Sequence, residues 1–320
     1  MRLLLLLALL LSPAFAQARL LLSEPVSLAT PSGQLSGTLL VPHSKAPVPV
    51  ALLVAGSGPT DRDGNNPLAH TDNLRKLAVA LAEMGVASLR YDKRGVGRSL
   101  DAGRDERSLS LERYVEDLRA WSEQLRRDPR LGRQILIGHS EGALVASLAA
   151  PRTEAAALIS IAGSGRPIAR LLRQQLQGKL PPALLAHAGY LIDELEAGRI
   201  HPVVPDELMV LLRPSVQPYL VSLFRQDPAE AFAQVQVPAL IVQGSRDVQV
   251  GLDDARALHR ARPQAELAMI DGMNHVLRIV GPASDDPLIS YNQPELPLAP
   301  ELLGHIEAFL QRNGLLPASS

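Results

Sequence analysis

Cysteine is absent from the 320 residues, and aromatic residues make up only 3% of them. Without cysteine the chain can form no disulfide, no thiolate zinc or iron–sulfur site, no cysteine nucleophile and no lipoprotein anchor. With so few aromatic side chains, a stacking platform for bases or sugars is hard to build. The sequence therefore argues against several classes of metal, redox and nucleic-acid protein before any motif is considered.

An excess of charge of either sign is also missing. The chain has 32 basic and 33 acidic side chains, a net charge of −1. Because no overall positive field would attract a polyanion, we expect no nucleic-acid partner. The hydrophobic fraction of 46% and the charged fraction of 20% are ordinary for a globular chain. The length allows one large domain or two ordinary ones.

The first sixteen residues have the pattern of a secretory signal peptide. Arg2 supplies a positive start, residues 3–11 are an unbroken apolar run, and residues 14–16 (AFA) form a small-x-small cleavage site. As a helix, that run would reach roughly 13 Å, under half of a ~30 Å bilayer core. A buried N-terminal helix is the alternative. We expect export to the periplasm or the medium, with no membrane span after cleavage.

Short apolar runs that end at Gly, Asp or Pro alternate with amphipathic helical patterns along most of the chain. This alternation predicts an α/β fold with a mainly parallel sheet covered by helices on both faces. The predicted strands are residues 26–29, 35–41, 48–55, 86–91, 134–138, 155–161, 239–243 and 267–270. The predicted helices of this part are residues 72–84, 111–125, 141–149, 254–261 and 300–311.

Residues 166–236 break the alternation, because they contain proline-punctuated helical patterns and no convincing strand. A stretch of this kind between two sheet strands predicts a helical cap inserted into a core of residues 17–165 and 237–320. A second independent domain is the alternative. The helical patterns of the stretch are residues 171–180, 183–195 and 206–213.

The most informative motif is Gly-His-Ser-Glu-Gly at residues 138–142, between a predicted strand and a small-residue helix. Gly138 and Gly142 permit a turn too tight for larger residues, which leaves the hydroxyl of Ser140 exposed. The helix that follows favours negative charge at its N-terminus. The motif predicts that Ser140 is a nucleophile, whereas His139 points the opposite way and packs in the structure.

A serine nucleophile needs a base, and the base needs an acceptor that orients it. His275 lies in a glycine-containing turn after the last predicted strand. This turn is at the carboxyl ends of the strands, where enzymes built on parallel sheets have their active sites. His70, on a polar loop, is a weaker rival. Asp247 follows the strand at 239–243, and the order Ser140, Asp247, His275 is typical of one hydrolase class. The other candidate acceptors are Asp253, Asp254 and Asp271, for which capping roles are favoured.

Acyl transfer also needs backbone donors for the oxyanion. We expect the N–H of Glu141, directly after the nucleophile, to be one of them. The second is the N–H of Ser57, in a glycine-rich loop after the strand at 48–55; turn chemistry alone is the alternative. Residues 61–63 of this loop either shape the pocket mouth or brace the loop. The scheme requires no metal and no organic cofactor.

The motifs together resemble the α/β-hydrolases of the serine-esterase type, especially the exported or thermophilic bacterial carboxylesterases described as dienelactone-hydrolase-like or serine-aminopeptidase-like. The resemblance implies an α/β-hydrolase fold and cleavage of small-molecule carboxylic esters with small to medium acyl groups through an acyl-enzyme. It also implies structural roles for Asp92 and Arg94. The matching motifs are residues 56–65 (GSGPTDRDGN), 91–99 (YDKRGVGRS), 138–142 (GHSEG), 244–247 (GSRD) and 274–275 (NH).

Two other functions fit the same motifs. Peptide or amide hydrolysis, or acyl transfer, would use the same residues with a different pocket, and a non-catalytic binding protein could retain the fold. Leucines of the predicted cap could supply an apolar wall for an acyl chain, or form only the core of the cap. These leucines are Leu171, Leu172, Leu176, Leu180, Leu184, Leu185, Leu211 and Leu212.

Overall fold

The centre of the molecule is an eight-stranded sheet, seen in a computed structural model that describes residues 20–281 and 288–317. In chain order the strands are β1 (Leu21–Thr30), β2 (Gly33–Pro42), β3 (Val48–Val54), β4 (Ala87–Tyr91), β5 (Leu131–His139), β6 (Ala155–Ile161), β7 (Ala239–Gly244) and β8 (Glu266–Ile270). Their order across the sheet is β1-β2-β4-β3-β5-β6-β7-β8. β2 pairs antiparallel with β1 and β4, and the other neighbours are parallel.

Helices follow the strands of the parallel part. Between β3 and β6 they are α1 (Asn73–Met84), α2 (Leu111–Leu125) and α3 (Glu141–Ala149). Between β6 and β7 they are α4 (Ile168–Leu176), α5 (Pro182–Glu196), α6 (Met209–Leu212), α7 (Gln217–Phe224) and α8 (Pro228–Ala233). The last two are α9 (Leu252–Ala261), before β8, and α10 (Pro300–Arg312), after it.

Alternation of side chains along β3 shows why both faces of the sheet are covered. Val50, Leu52 and Val54 point into one buried cluster, which contains side chains of α2 and α3. Ala51 and Leu53 point into the opposite cluster, which contains side chains of α1 and α10. This period of two is the signature of a strand buried on both faces. The predicted mostly parallel sheet with helices on both sides is confirmed.

The parallel strands bring four distant loops to one edge of the sheet. β3, β5, β7 and β8 run in the same direction, so their carboxyl ends point to the same side of the sheet. β5 lies between β3 and β6, near the centre. The loop that begins at Gly56, together with Ser140, Asp247 and His275, therefore lies at this edge.

The segment between β6 and β7 is helical, as its pattern predicts, and contains two helices that the pattern did not indicate. α7 and α8 carry a proline at their first or second position, Pro218 and Pro228. Proline is compatible with the first turn of a helix because that turn leaves its backbone N–H groups unbonded. Pro218 therefore lies at the start of a helix, where the sequence reading treats it as punctuation between helices.

Buried charges brace the loops on the β4 side of the site. The guanidinium of Arg94 donates two hydrogen bonds, of 2.6 and 2.5 Å, to the Asp117 carboxylate on α2. Asp92 accepts from the Arg62 side chain at 2.7 Å and from the Arg62 and Arg98 N–H groups. Arg62 also donates to Thr38 on β2, which favours a bracing role for residues 61–63.

Among the described residues, no helix combines the length and the apolar character that a membrane crossing needs. The predicted signal peptide at residues 1–16 lies outside the described residues.

Candidate active site

Ser140 occupies a strained turn between β5 and α3. Its backbone angles are φ 56° and ψ −122°, in the region that side chains disfavour. A Cβ added to Gly142 would lie 2.8 Å from the Ala55 carbonyl oxygen and closer still to Val54. A Cβ added to Gly138 would overlap the backbone of Gly142. The two glycines of the motif are therefore required by close backbone approach, as the sequence predicts.

Two neighbouring segments hold this turn in place. The Ser140 N–H donates to the Ile161 carbonyl at 2.9 Å, and the Ala143 N–H donates to the Ser140 carbonyl at 3.0 Å. On the other side, a Cβ added to Gly56 would lie 3.2 Å from the Ser140 Cβ. The loop after β3 thus passes directly beside the serine, which places the Ser57 backbone next to it.

His275 and Asp247 are joined at the ends of β8 and β7. The His275 Nδ1 lies 2.8 Å from the Asp247 Oδ2, with side-chain exposures of 7% and 1%. The Asp247 Oδ1 accepts from the N–H groups of Gln249 and Val250 at 2.8 and 2.9 Å. Because a carboxylate oxygen accepts, Nδ1 carries the proton, and Nε2 is left for a second partner.

Burial alone would raise the pKa of the Asp247 carboxyl, but the contacts of the carboxylate outweigh this effect. The charge of His275, its hydrogen bond, and the Val250 and Gln249 N–H groups lower the pKa of this carboxyl below its ordinary value. Asp247 is therefore ionised at neutral pH, as an acceptor that orients an imidazole must be.

Ser140 and His275 line the same small, polar cavity of about 100 Å³. Ser57, His139, Gln249 and Tyr291 are among its other lining residues. The structure thus brings together the predicted nucleophile, base and acceptor.

Ser140 also lines a second, larger cavity of about 290 Å³. Ser57 and Glu141 also line it, together with helices of the segment between β6 and β7. Three of the eight predicted wall leucines, Leu171, Leu172 and Leu211, lie on its surface. The other apolar side chains at its wall are Pro59, Ile168, Val210, Val216, Leu220, Leu223, Phe224 and Val250.

The rival candidates lie elsewhere. His70 is an exposed side chain near Asp72. Asp271 accepts from Ser245 at 2.8 Å. Asp254, the third residue of α9, pairs with Arg166 and accepts from the N–H of Gly251, the residue before the helix, so it caps the helix from within its first turn. Asp253 pairs with Arg256 on the exposed side of the same helix. Among the described residues, no cluster of His, Asp and Glu side chains could hold a metal ion.

His139 packs against His275, as expected of a residue that points away from the nucleophile. Its Nε2 donates to the His275 carbonyl oxygen at 2.8 Å, and the two ring centres are 4.9 Å apart. Burial, with a smaller contribution from the charge of His275, lowers the pKa of His139 to about 3. His139 is therefore neutral at ordinary pH and fixes the backbone that carries His275.

Lys93, Tyr114 and Tyr219 form a buried cluster next to the loop after β3, and the sequence analysis did not identify it. Lys93, just after β4, donates from Nζ to the Gly56 carbonyl oxygen. The Lys93 Nζ lies 6.0 Å from the centre of the Tyr114 ring, and the Tyr114 and Tyr219 rings are 5.5 Å apart. The sequence did contain a signal, because lysine is rare in this chain and Lys93 lies inside the motif at residues 91–99. No spacing rule, however, links Lys93 to Gly56.

The chain belongs to the serine aminopeptidase S33 family, whose model matches residues 68–279. It is also similar to the esterase EstD of Thermotoga maritima, with 28% identity over 247 residues. That alignment covers 76% of this chain and 58% of the relative, so the chain spans less than two thirds of that protein.

Two solved structures show the same architecture. Est1E from Butyrivibrio proteoclasticus superposes with a TM-score of 0.59 at 16% identity, over 90% of this chain and 98% of that one. The α/β hydrolase GrgF from Penicillium sp. sh18 superposes with a TM-score of 0.61 at 20% identity, over 91% and 98%. At these identities the likeness concerns the fold, and it confirms the predicted α/β-hydrolase fold.

Proposed function

We propose that the protein is a serine hydrolase that cleaves carboxylic esters of small to medium acyl groups through an acyl-enzyme. One arrangement carries the proposal: Ser140, on a strained strand-to-helix turn, shares a cavity with His275, whose Nδ1 is held by buried Asp247. The similarity to an esterase of Thermotoga maritima supports the choice of ester substrates.

In the first half-reaction His275 Nε2 takes the proton of the Ser140 hydroxyl as its oxygen attacks the ester carbonyl. The carbonyl electron pair moves onto the oxygen, where the N–H groups of Ser57 and Glu141 stabilise it. Asp247 keeps the proton on Nδ1 and stabilises the imidazolium that forms. The bond to the alkoxide then breaks, and the Nε2 proton passes to the departing alcohol.

Water completes the cycle. His275 takes a proton from water, whose oxygen attacks the acyl-Ser140 carbonyl, and the same two N–H groups stabilise the second oxyanion. When the ester bond to Ser140 breaks, the imidazolium returns its proton to the serine oxygen and the carboxylic acid leaves.

The two cavities indicate how an ester would lie across Ser140. The departing alcohol must lie beside His275, because His275 gives it a proton, and His275 lines the small polar cavity. The acyl group then occupies the larger cavity, whose wall is mostly apolar. The geometry therefore favours an apolar acyl group joined to a small, polar alcohol.

Peptide hydrolysis is the second candidate, because the matching family is described as a serine aminopeptidase family. An aminopeptidase must hold a charged α-amino group, for which a carboxylate is the natural partner. Of the described residues that line the two cavities, only Glu141 carries a carboxylate, and its charge already interacts with that of Lys93. The two candidates are separated by comparing turnover of p-nitrophenyl esters with that of aminoacyl p-nitroanilides.

Ser140→Ala tests the proposal directly. The substitution removes the nucleophile, so we expect hydrolysis of p-nitrophenyl butyrate to fall by at least about 10³-fold. Because the lost hydroxyl is at a half-exposed position, the melting temperature should stay within a few degrees of wild type. A fluorophosphonate should label the wild type at Ser140 and leave the variant unlabelled. Retained turnover in the variant would reject the mechanism, and an unlabelled, inactive wild type would favour a non-catalytic binding protein.

A further inference from the structure

A buried amine lies beneath the loop that passes beside Ser140. Lys93 is only 3% exposed, although lysine is almost never fully buried without a partner. Its Nζ donates to the carbonyl oxygen of Gly56, the first residue of that loop. Tyr114 on α2 flanks the amine. The partner of this buried amine is therefore a backbone carbonyl oxygen of the loop beside Ser140.

The Gly56 carbonyl and the Ser57 N–H belong to the same peptide group. A cation that hydrogen bonds to the carbonyl draws electron density toward the oxygen, which makes the N–H at the other end a stronger donor. The contact also fixes the orientation of this peptide beside Ser140. Lys93 thus acts on the very group that is proposed to donate to the oxyanion.

Glu141 links the same amine to the second donor. Glu141 is the first residue of α3, is 8% exposed, and supplies the other proposed oxyanion N–H from its backbone. Burial lowers the pKa of Lys93, and the negative charge of Glu141 opposes this shift. The carboxylate therefore favours the ammonium form of Lys93.

We propose that Lys93 is a positioning residue that orients and polarises the Gly56–Ser57 peptide, so that the oxyanion is stabilised by a charge that never touches the substrate. The inference rests on the proposed function, because it assigns Lys93 a part in the same reaction. It goes beyond the Ser140, His275 and Asp247 arrangement, none of which Lys93 is required to contact.

If Lys93 acts on the oxyanion, its loss should slow the chemical step and leave substrate binding nearly unchanged. Negative charge appears on the carbonyl oxygen only in the transition state, so a group that stabilises it changes kcat and leaves KM nearly unchanged. A merely structural lysine would instead change the melting temperature, or change KM and kcat together through a deformed pocket.

The first test compares Lys93→Met with Lys45→Met. Methionine keeps most of the length of the side chain without its charge, and Lys45 is an exposed lysine in the loop between β2 and β3. With p-nitrophenyl butyrate, Lys93→Met should lower kcat by about 10- to 100-fold and leave KM within about twofold of the wild-type value. This loss is smaller than the roughly 10²–10³-fold loss in kcat caused by removing a direct oxyanion donor. Its affinity for a trifluoromethyl ketone, which forms an oxyanion on the serine, should fall in parallel. Lys45→Met should match the wild type.

The second test restores the charge. Because the chain contains no cysteine, Lys93→Cys creates a single thiol in the whole protein. The unfolded variant is alkylated with 2-bromoethylamine, which rebuilds a lysine-like ammonium, or with 1-bromopropane, which adds a neutral group of the same length. After refolding, circular dichroism and thermal unfolding should show two equally folded proteins. The aminoethyl protein should recover at least about a tenth of the wild-type kcat, and the propyl protein should stay as slow as Lys93→Met.

The outcomes distinguish this inference from the function on which it rests. If the wild type hydrolyses esters and reacts with a fluorophosphonate, but folded Lys93→Met keeps its kcat and its ketone affinity, the inference alone is overturned. Equal kcat values for the aminoethyl and propyl proteins overturn it as well. If the wild type neither hydrolyses esters nor reacts with a fluorophosphonate, the proposed function fails and the inference falls with it.

Discussion

The turn that carries Ser140 and the helical segment of residues 166–236 use the same residue types under opposite constraints. Gly142, at the turn, lies against the backbone of β3, whereas Gly189, on α5, has no atom near the position that a Cβ would take. At the turn, one residue type satisfies the geometry. At Gly189 many types do, so the sequence there can vary more freely than at the turn.

Charges show the same contrast. The Asp247 carboxylate and the His275 ring are almost fully buried, and each has a defined partner. In the helical segment, Arg199 pairs with Glu194 at 2.6 Å, but the Arg199 side chain is exposed. A pair exposed to water contributes little to stability, whereas a buried charge without its partner is costly. The site is therefore intolerant of substitution and the helical segment is permissive.

The largest expected effect is the loss of the turn. Gly142→Ala places a methyl group 2.8 Å from the Ala55 carbonyl oxygen and nearer to Val54, both of which belong to rigid backbone. We expect the free energy of unfolding to fall by about 3 kcal/mol or more, and ester hydrolysis to be lost in whatever protein still folds. Urea denaturation followed by circular dichroism measures the first effect.

Gly189→Ala is the matched control in the helical segment. The new methyl group meets open space within a helix, where alanine is preferred to glycine. The free energy of unfolding should therefore rise by about 0.5–1 kcal/mol. If the two substitutions changed stability by similar amounts, the contrast between a constrained turn and a permissive segment would be wrong.

The sequence predicts well what short-range rules determine. Short apolar runs that end at Gly, Asp or Pro locate the eight strands, and the Gly-x-Ser-x-Gly spacing locates the strained turn, because each rule depends on neighbouring residues. The pairing of His275 with Asp247 was also predictable, since parallel strands bring their carboxyl ends to one edge. In each case the backbone direction of a known element determines where the side chain lies.

Contacts between distant segments could not be predicted in this way. Lys93 and Gly56 come from loops after different strands, and nothing in the spacing of either loop indicates that an amine meets that carbonyl. α7 and α8 were missed because each is short and has a proline in its first turn. The lining of the larger cavity depends on how these helices pack. Three of the eight candidate leucines line it, and the other five pack in or against the hydrophobic core, the alternative that the sequence left open.

The effect of acid on stability separates the two regions again. The pKa of His139 is about 3 in the folded protein and about 6.5 in an unfolded chain. Between these values the unfolded chain binds a proton that the folded chain excludes, so stability falls with falling pH by up to about 1.4 kcal/mol per pH unit. His139→Gln keeps a donor for the His275 carbonyl and cannot be protonated, so this dependence should disappear.

Urea denaturation at pH 7, 6, 5 and 4 measures the dependence. His187→Gln is the control, since His187 is an exposed residue of α5. Its stability should follow the wild-type pH curve. The same slope in His139→Gln as in the wild type would show that His139 is not held neutral by burial.

The smallest expected effect concerns substrate choice. Leu220, on α7, lines the larger cavity, and Leu220→Ala would lengthen the space available to an acyl chain. Burial of one more methylene contributes about 0.8 kcal/mol, which is roughly fourfold in kcat/KM. We therefore expect the ratio of kcat/KM for p-nitrophenyl octanoate to that for the butyrate to rise about four- to tenfold. Val203→Ala, at a 79% exposed position of the same segment, should leave the ratio unchanged. An equal ratio in both variants would mean that the acyl group lies elsewhere, and that the helices between β6 and β7 do not set chain-length preference.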